Sequence, residues 1–134
     1  MKQTVRFRVD FTPVCSLGPG KIELLETIDQ TGSLRQAARA LGMSYRRAWL
    51  LLDALNRSFS EPAAVASVGG QGGGGARLTA FGNELVRRYR AASKNIEALA
   101  RAEFQSIAVK ALAHAARTAA PRRKRLARAP AVAE

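Results

Sequence analysis

Ser44, Tyr45, Arg46 and Arg47 stand in four consecutive positions. They bring two hydroxyl groups and two guanidinium groups together with no acid among them. A guanidinium is planar and presents a fork of N–H donors that fits two acceptors at once. Guanine O6 and N7 are such a pair, as are two oxygens of one phosphate; a bidentate guanine contact contributes about 1–3 kcal/mol of discrimination. Arg46 and Arg47 are therefore candidates for base or phosphate contact, and Ser44 and Tyr45 for phosphate. Earlier in the chain, Ser33, Arg35 and Gln36 form a similar donor group. Later, Gln71 and Arg77 are the polar residues of a glycine-rich run, and Arg122, Arg123, Lys124 and Arg125 form a cationic cluster.

Catalytic chemistry finds little material. His114 is the sole histidine, and Cys15 the sole cysteine, far from it along the chain. A metal site needs several ligands converging, and a nucleophile needs a base beside it. The expectation is a non-enzyme without metal or cofactor. One cysteine allows no intramolecular disulfide.

The charge balance points the same way as the arginines. The 134 residues carry 22 Lys and Arg against 10 Asp and Glu, a net charge of +12. Such an excess predicts an anionic partner, with nucleic acid ahead of an anionic membrane surface. The N-terminus lacks the apolar stretch of a signal peptide, and no apolar run approaches the roughly 20 residues of a membrane span. A cytoplasmic, nucleoid-associated protein is the expectation. From Ala115 onward, six basic residues face Glu134 alone, a net of +5. This stretch also holds Pro121 and Pro130 and no aromatics, so residues 115–134 are expected to form a disordered basic tail.

Residues 1–114 must then supply the elements that hold the donor groups. Between Thr4 and Thr12, Val5, Phe7, Val9 and Phe11 alternate with charged residues, the period of a half-buried strand. Ile22, Leu24, Leu25 and Ile28 mark one face of a helix ending at Gly32. Ser33 and Gln36 have the spacing of a capping box opening a second helix, whose buried stripe is Leu34, Ala37, Ala38 and Leu41. Gly42 closes it, and Ser44 is the N-cap of a third helix with Tyr45, Ala48, Leu52, Leu55 and Phe59 on one face. Two short helices joined by a tight glycine turn form a helix-turn-helix. Val65 and Val68, then Leu78, suggest two short strands flanking the glycines, the shape of a wing. Thr79 caps a last helix from about Ala80 to about His114, roughly 50 Å long. Its stripe of Leu85, Tyr89, Ala92, Ile96 and Leu99, continued by Phe104, Ile107 and Ala111, is too long for so small a domain to bury, so a second copy of the chain is its expected partner. The fold class is mainly α, within α+β: a winged helix-turn-helix with an N-terminal strand, a two-stranded wing and a long C-terminal dimerisation helix.

Some of these residues also have structural roles. Arg46 and Arg47 also suit a solvated helix face, Tyr45 is as well placed for the core as for a ligand, and Ser33 and Gln36 can act as caps alone. Trp49, one turn after Tyr45, is expected to pack against its neighbours.

The motifs "GSLRQAARALGMSYRRAW", "GGQGGGGARLT" and "FGNELVRRYR" together resemble the N-terminal DNA-binding domain of the ModE-type, molybdate-responsive transcription regulators. The chain is more distantly similar to the LysR-type winged helix. The resemblance spans about Val5 to Phe104. It implies DNA binding by a dimer, with the helix after Ser44 in the major groove, Ser33, Arg35 and Gln36 near the backbone, and Gln71 and Arg77 on the wing. Members of that family continue into a β-rich molybdate-binding module. Here a helix and basic tail follow instead, so molybdate binding is not expected. The expected function is a sequence-selective, homodimeric transcription regulator. Two alternatives remain from other classes: an architectural nucleoid protein with little base preference, and an adaptor that binds protein through the long helix.

Overall fold

The computed structural model describes residues 3–67 and 75–132. The order of elements is β1 (Val9–Thr12), β2 (Cys15–Leu17), α1 (Pro19–Thr31), α2 (Leu34–Ala40), α3 (Tyr45–Ser58), β3 (Ala64–Ser67), β4 (Gly75–Leu78), α4 (Ala80–Glu103) and α5 (Gln105–Val132). The chain divides into two units, Arg6–Asn95 and Met1–Val5 with Ile96–Glu134. The first unit is a winged helix-turn-helix of the α+β class.

Local chemistry sets the limits of the first three helices. Gly32 and Gly42 take the left-handed conformation, with φ of 71° and 69°. A side chain at either position would be strained, so each glycine turns the chain where a helix stops. Ser33 Oγ accepts from the Gln36 N–H at 3.2 Å, and Ser44 Oγ from the Arg47 N–H at 3.0 Å. Only half of the expected capping box forms. The N–H of Ser33 is held by Thr31 Oγ1 at 3.4 Å, and Gln36 stays exposed.

α1 is the centre of the unit. Ile22, Leu24, Leu25 and Ile28 are fully buried and meet Ala37 and Ala38 of α2 and Ala48 and Leu55 of α3. The small residues let the helices approach closely. Leu85 and Tyr89, in the first half of α4, close the same core. Tyr89 stacks on Phe7 with ring centroids 4.3 Å apart and donates its hydroxyl proton to the Phe7 carbonyl at 2.7 Å. A bidentate ion pair joins Arg90 of α4 to Glu26 of α1 at 2.6 and 2.7 Å.

Three elements differ from the sequence reading. The expected strand from Thr4 to Thr12 is laddered only over Val9–Thr12, where it pairs antiparallel with β2, a strand the sequence reading did not include. Every residue of β1 is exposed. Upstream, the alternation survives as burial without a ladder: Val5 and Phe7 are half-buried while Arg6 and Arg8 face water. The apolar period there reports packing rather than strand pairing. The single helix expected to end near His114 is divided at Phe104 into α4 and α5. Finally, helical backbone continues to Val132, through residues the composition assigned to a disordered tail. Alanine and arginine, both good helix formers, dominate that stretch, while Pro121 and Pro130 lack the N–H of the helical ladder.

Candidate nucleic-acid interface

The site begins with the two helices of the turn. The Ser44 cap leaves Tyr45, Arg46 and Arg47 exposed on the first turn of α3. The helix is about 21 Å long, and its bare N–H groups add partial positive charge at this end. Arg35, on the first turn of α2, lies over the Tyr45 ring with its guanidinium carbon 4.3 Å from the centroid. This cation–π contact, contributing about 0.5–1 kcal/mol at an exposed site, ties the first turn of one helix to that of the next.

The wing follows. β3 and β4 pair antiparallel in the register Ala64–Leu78, Val65–Arg77, Ala66–Ala76 and Ser67–Gly75. This register buries Ala76 and Leu78 and turns Arg77 to solvent. The wing also reaches the turn between α1 and α2: the Ala76 N–H donates to the Gly32 carbonyl at 2.9 Å, and Ser33 bridges Gly75. Ser33 is thus brought beside Gly75 at the loop end of β4, with Arg35 and Gln36 following on the first turn of α2, and Ser44 to Arg47 sit on the adjoining helix. Gln71 and the glycines from Gly69 to Gly74 lie outside the described residues. Arg122, Arg123, Lys124 and Arg125 fall within α5, in the other unit.

Ion pairing separates two kinds of arginine. Among the described residues, the acids pair with Arg8, Arg57, Arg88 and Arg90. None pairs with Arg35, Arg46, Arg47 or Arg77. The paired arginines include the bond between α1 and α4 and Arg57 near the end of α3; of the others, Arg35, Arg46, Arg47 and Arg77 lie on the turn helices and the wing, while Arg6 and Arg87 lie elsewhere in the unit. Hence the exposed cationic charge of this unit is uncompensated where the helix-turn-helix meets the wing. Among the described residues, no His, Cys, Asp and Glu group could hold a metal, and no helix is long and apolar enough to cross a membrane.

Trp49 departs from the packing expected of it: it is 47% exposed, although it shares a helix face with Leu52. α3 is covered by α1 and α2 along Ala48 and Leu55, so a side chain one position round from Ala48 faces outward. Trp49 and Tyr45 instead line an open cleft of about 370 Å³ between α3 and the wing, together with Leu52, Asn56, Val65 and Ala66. Asn56 had no sequence signal of its own: asparagine near a helix end is common, and its partners lie beyond Phe59.

No family model matches the chain. The chain is 38% identical over 86 residues to the molybdenum transport protein ModE of Azotobacter vinelandii, covering 64% of this chain and 32% of that protein. It is 38% identical over 71 residues to the DNA-binding transcriptional dual regulator ModE of Escherichia coli K12, covering 53% of this chain and 27% of that protein. Among solved structures, it is similar to ArgP from Mycobacterium tuberculosis, with a TM-score of 0.48 and 21% identity, over 63% of this chain and 30% of that one. The chain spans about a third of the length of the curated relatives it matches. Over its winged helix-turn-helix, this chain is thus similar to the ModE proteins.

Proposed function

We propose that this chain binds duplex DNA as a sequence-selective transcription regulator. The observation that supports the reading best is the uncompensated charge of Arg46 and Arg47 at the capped end of α3, beside a wing that carries Arg77. An α-helix fits the roughly 12 Å major groove. With the N-terminal turn of α3 inserted there, Arg46 and Arg47 meet base edges or phosphates. Ser33, Arg35 and Gln36 then face the neighbouring backbone, and the wing the strand beyond. Selection of bound sequences from a random duplex pool tests this. Wild type enriches one motif, and Arg46→Ala with Arg47→Ala weakens binding to it by at least about tenfold. An arginine that neutralises a phosphate also steepens the salt dependence, so its removal lowers the slope of log K against log salt by about 0.9. An unchanged motif and affinity in the double variant would refute the assignment of α3 as the reading helix.

Dimerisation belongs to the same reading. Phe104 and Ile107 are 56% and 57% exposed, and Leu99, Val109 and Leu112 are exposed with them. An isolated helix gains little stability without burying an apolar face. Pairing of this stretch with that of a second copy gives two reading helices and an operator of two half-sites about one helical turn, or multiples, apart. Sedimentation checks it: wild type is a dimer, and Phe104→Asp with Ile107→Asp is a monomer that keeps half-site affinity and loses the advantage of the second half-site.

A further inference from the structure

The wing does not hang freely from the end of α3. Its root, Pro62 to Ala64, is gripped from two sides. From α3, Asn56 Oδ1 accepts the N–H of Ala63 at 2.8 Å and that of Ala64 at 3.3 Å, while Asn56 Nδ2 donates to the Ala64 carbonyl at 3.0 Å. From the start of α4, Thr79 Oγ1 donates to the Pro62 carbonyl at 2.6 Å and the Thr79 N–H to the Ala63 carbonyl at 2.9 Å. Gly82 lies so close that a Cβ there would run into the Ala63 carbonyl oxygen. Asparagine is suited to the first grip, because one short planar side chain carries both an acceptor and a donor.

Asn56 also belongs to a particular face of its helix. Tyr45, Trp49, Leu52 and Asn56 follow spacings of four, three and four, and all line the cleft between α3 and the wing. The residue that ties down the wing is therefore on the stripe that ends at the capped, arginine-bearing turn. Two contact elements on one rigid body engage a ligand together, because the second contact is made at high effective concentration; the gain vanishes when geometry forbids both.

We propose that Asn56 is a positioning residue for DNA binding: its amide fixes the root of β3 against α3 and so sets the spacing between the reading end of the helix and the wing. The role rests on the DNA-binding reading above. Asn56 touches no DNA in this account and acts through the wing.

Trp49 is the chain's single tryptophan and lies on the cleft that the clamp holds, so its fluorescence reports the wing without any DNA. In the full chain, Asn56→Ala shifts Trp49 emission to the red while the helical circular dichroism stays unchanged. Duplex affinity falls by about tenfold, the loss expected when two linked binding elements are uncoupled. Adding Arg77→Ala to Asn56→Ala costs little more, because the wing has already left its place, whereas adding Arg46→Ala costs as much as it does in wild type. Asn56→Asp keeps the acceptor toward Ala63 and puts an oxygen against the Ala64 carbonyl. It gives the same pattern at smaller size and replaces the alanine variant should that one lose its helical signal. An unmoved emission maximum overturns the proposal, and so does an additive Asn56–Arg77 pair, a neutral Arg77→Ala included. A wild-type chain that binds no duplex refutes the DNA reading instead, and the emission arm still shows whether Asn56 holds the wing.

Discussion

Leu55 and Phe104 are both large apolar residues on helices, and they meet opposite fates. Leu55, on α3, is fully buried among α1, α2 and the wing root. Phe104, between α4 and α5, leaves more than half its surface in water, and Leu99, Ile107 and Val109 do the same. Within Arg6–Asn95, three helices, a wing and the first turns of α4 enclose one core. From Ile96 on, the chain offers helix whose large apolar side chains Leu99, Phe104, Ile107, Val109 and Leu112 stay exposed. Helical propensity is present in both regions; a buried face is present in one. Most helical stability in proteins comes from packing such a face rather than from propensity. The first region is therefore expected to fold by itself, and the second to be ordered by what binds it.

The largest effect that tests this contrast is a pair of truncations. Leu55→Ala leaves a cavity in a closed core and should lower the unfolding free energy by about 2–5 kcal/mol. Leu99→Ala, measured in dilute solution where the chain is monomeric, should cost less than about 0.5 kcal/mol, as surface changes do. Urea unfolding of both variants gives the comparison, and equal losses would show that the two regions are not distinct in this way. A smaller effect sharpens the picture within the folded unit. Ser44→Ala removes the oxygen that holds the Arg47 N–H and should cost about 1 kcal/mol of stability. Because that N–H belongs to the turn proposed to meet DNA, the same change should weaken DNA binding further than the stability loss alone explains.

The smallest effect is one of pH. Burial holds the Tyr89 phenol above the usual tyrosine range, with the Arg90 guanidinium pulling it partly back. A group whose folded value is raised favours the folded state while it stays protonated. Tyr89 should therefore contribute fully below the ordinary tyrosine value, about 10. The contribution is lost as the pH rises from there through the raised value, where ionisation also removes the proton given to the Phe7 carbonyl. Tyr89→Phe should flatten this alkaline loss in thermal unfolding. A variant as sensitive as wild type would place the origin of the loss elsewhere. Arg90 shows the complementary case, its guanidinium held more firmly charged by the hydrogen bonds it donates to Glu26.

What the sequence determined by itself was local. Ser33 and Ser44 as caps, Gly32 and Gly42 as stops, the helix-turn-helix they delimit, and two short strands on either side of the glycines were all legible. A cap, a left-handed turn and a helical period each depend on residues within about one turn of one another. The arginines at the start of α3 were legible for the same reason, since a cap tells which residues form the first turn. Burial and pairing were not. Phe7 meets Tyr89, Glu26 meets Arg90, and Gly75 meets Ser33 across wide gaps in the chain, so no local pattern announces them. Tertiary structure alone decided that Trp49 faces outward, that Gly82 must lack a side chain, and that Asn56 grips the wing. In each case the deciding partner is an atom brought near by the fold, and packing is the one interaction that a chain cannot specify until its distant parts have met.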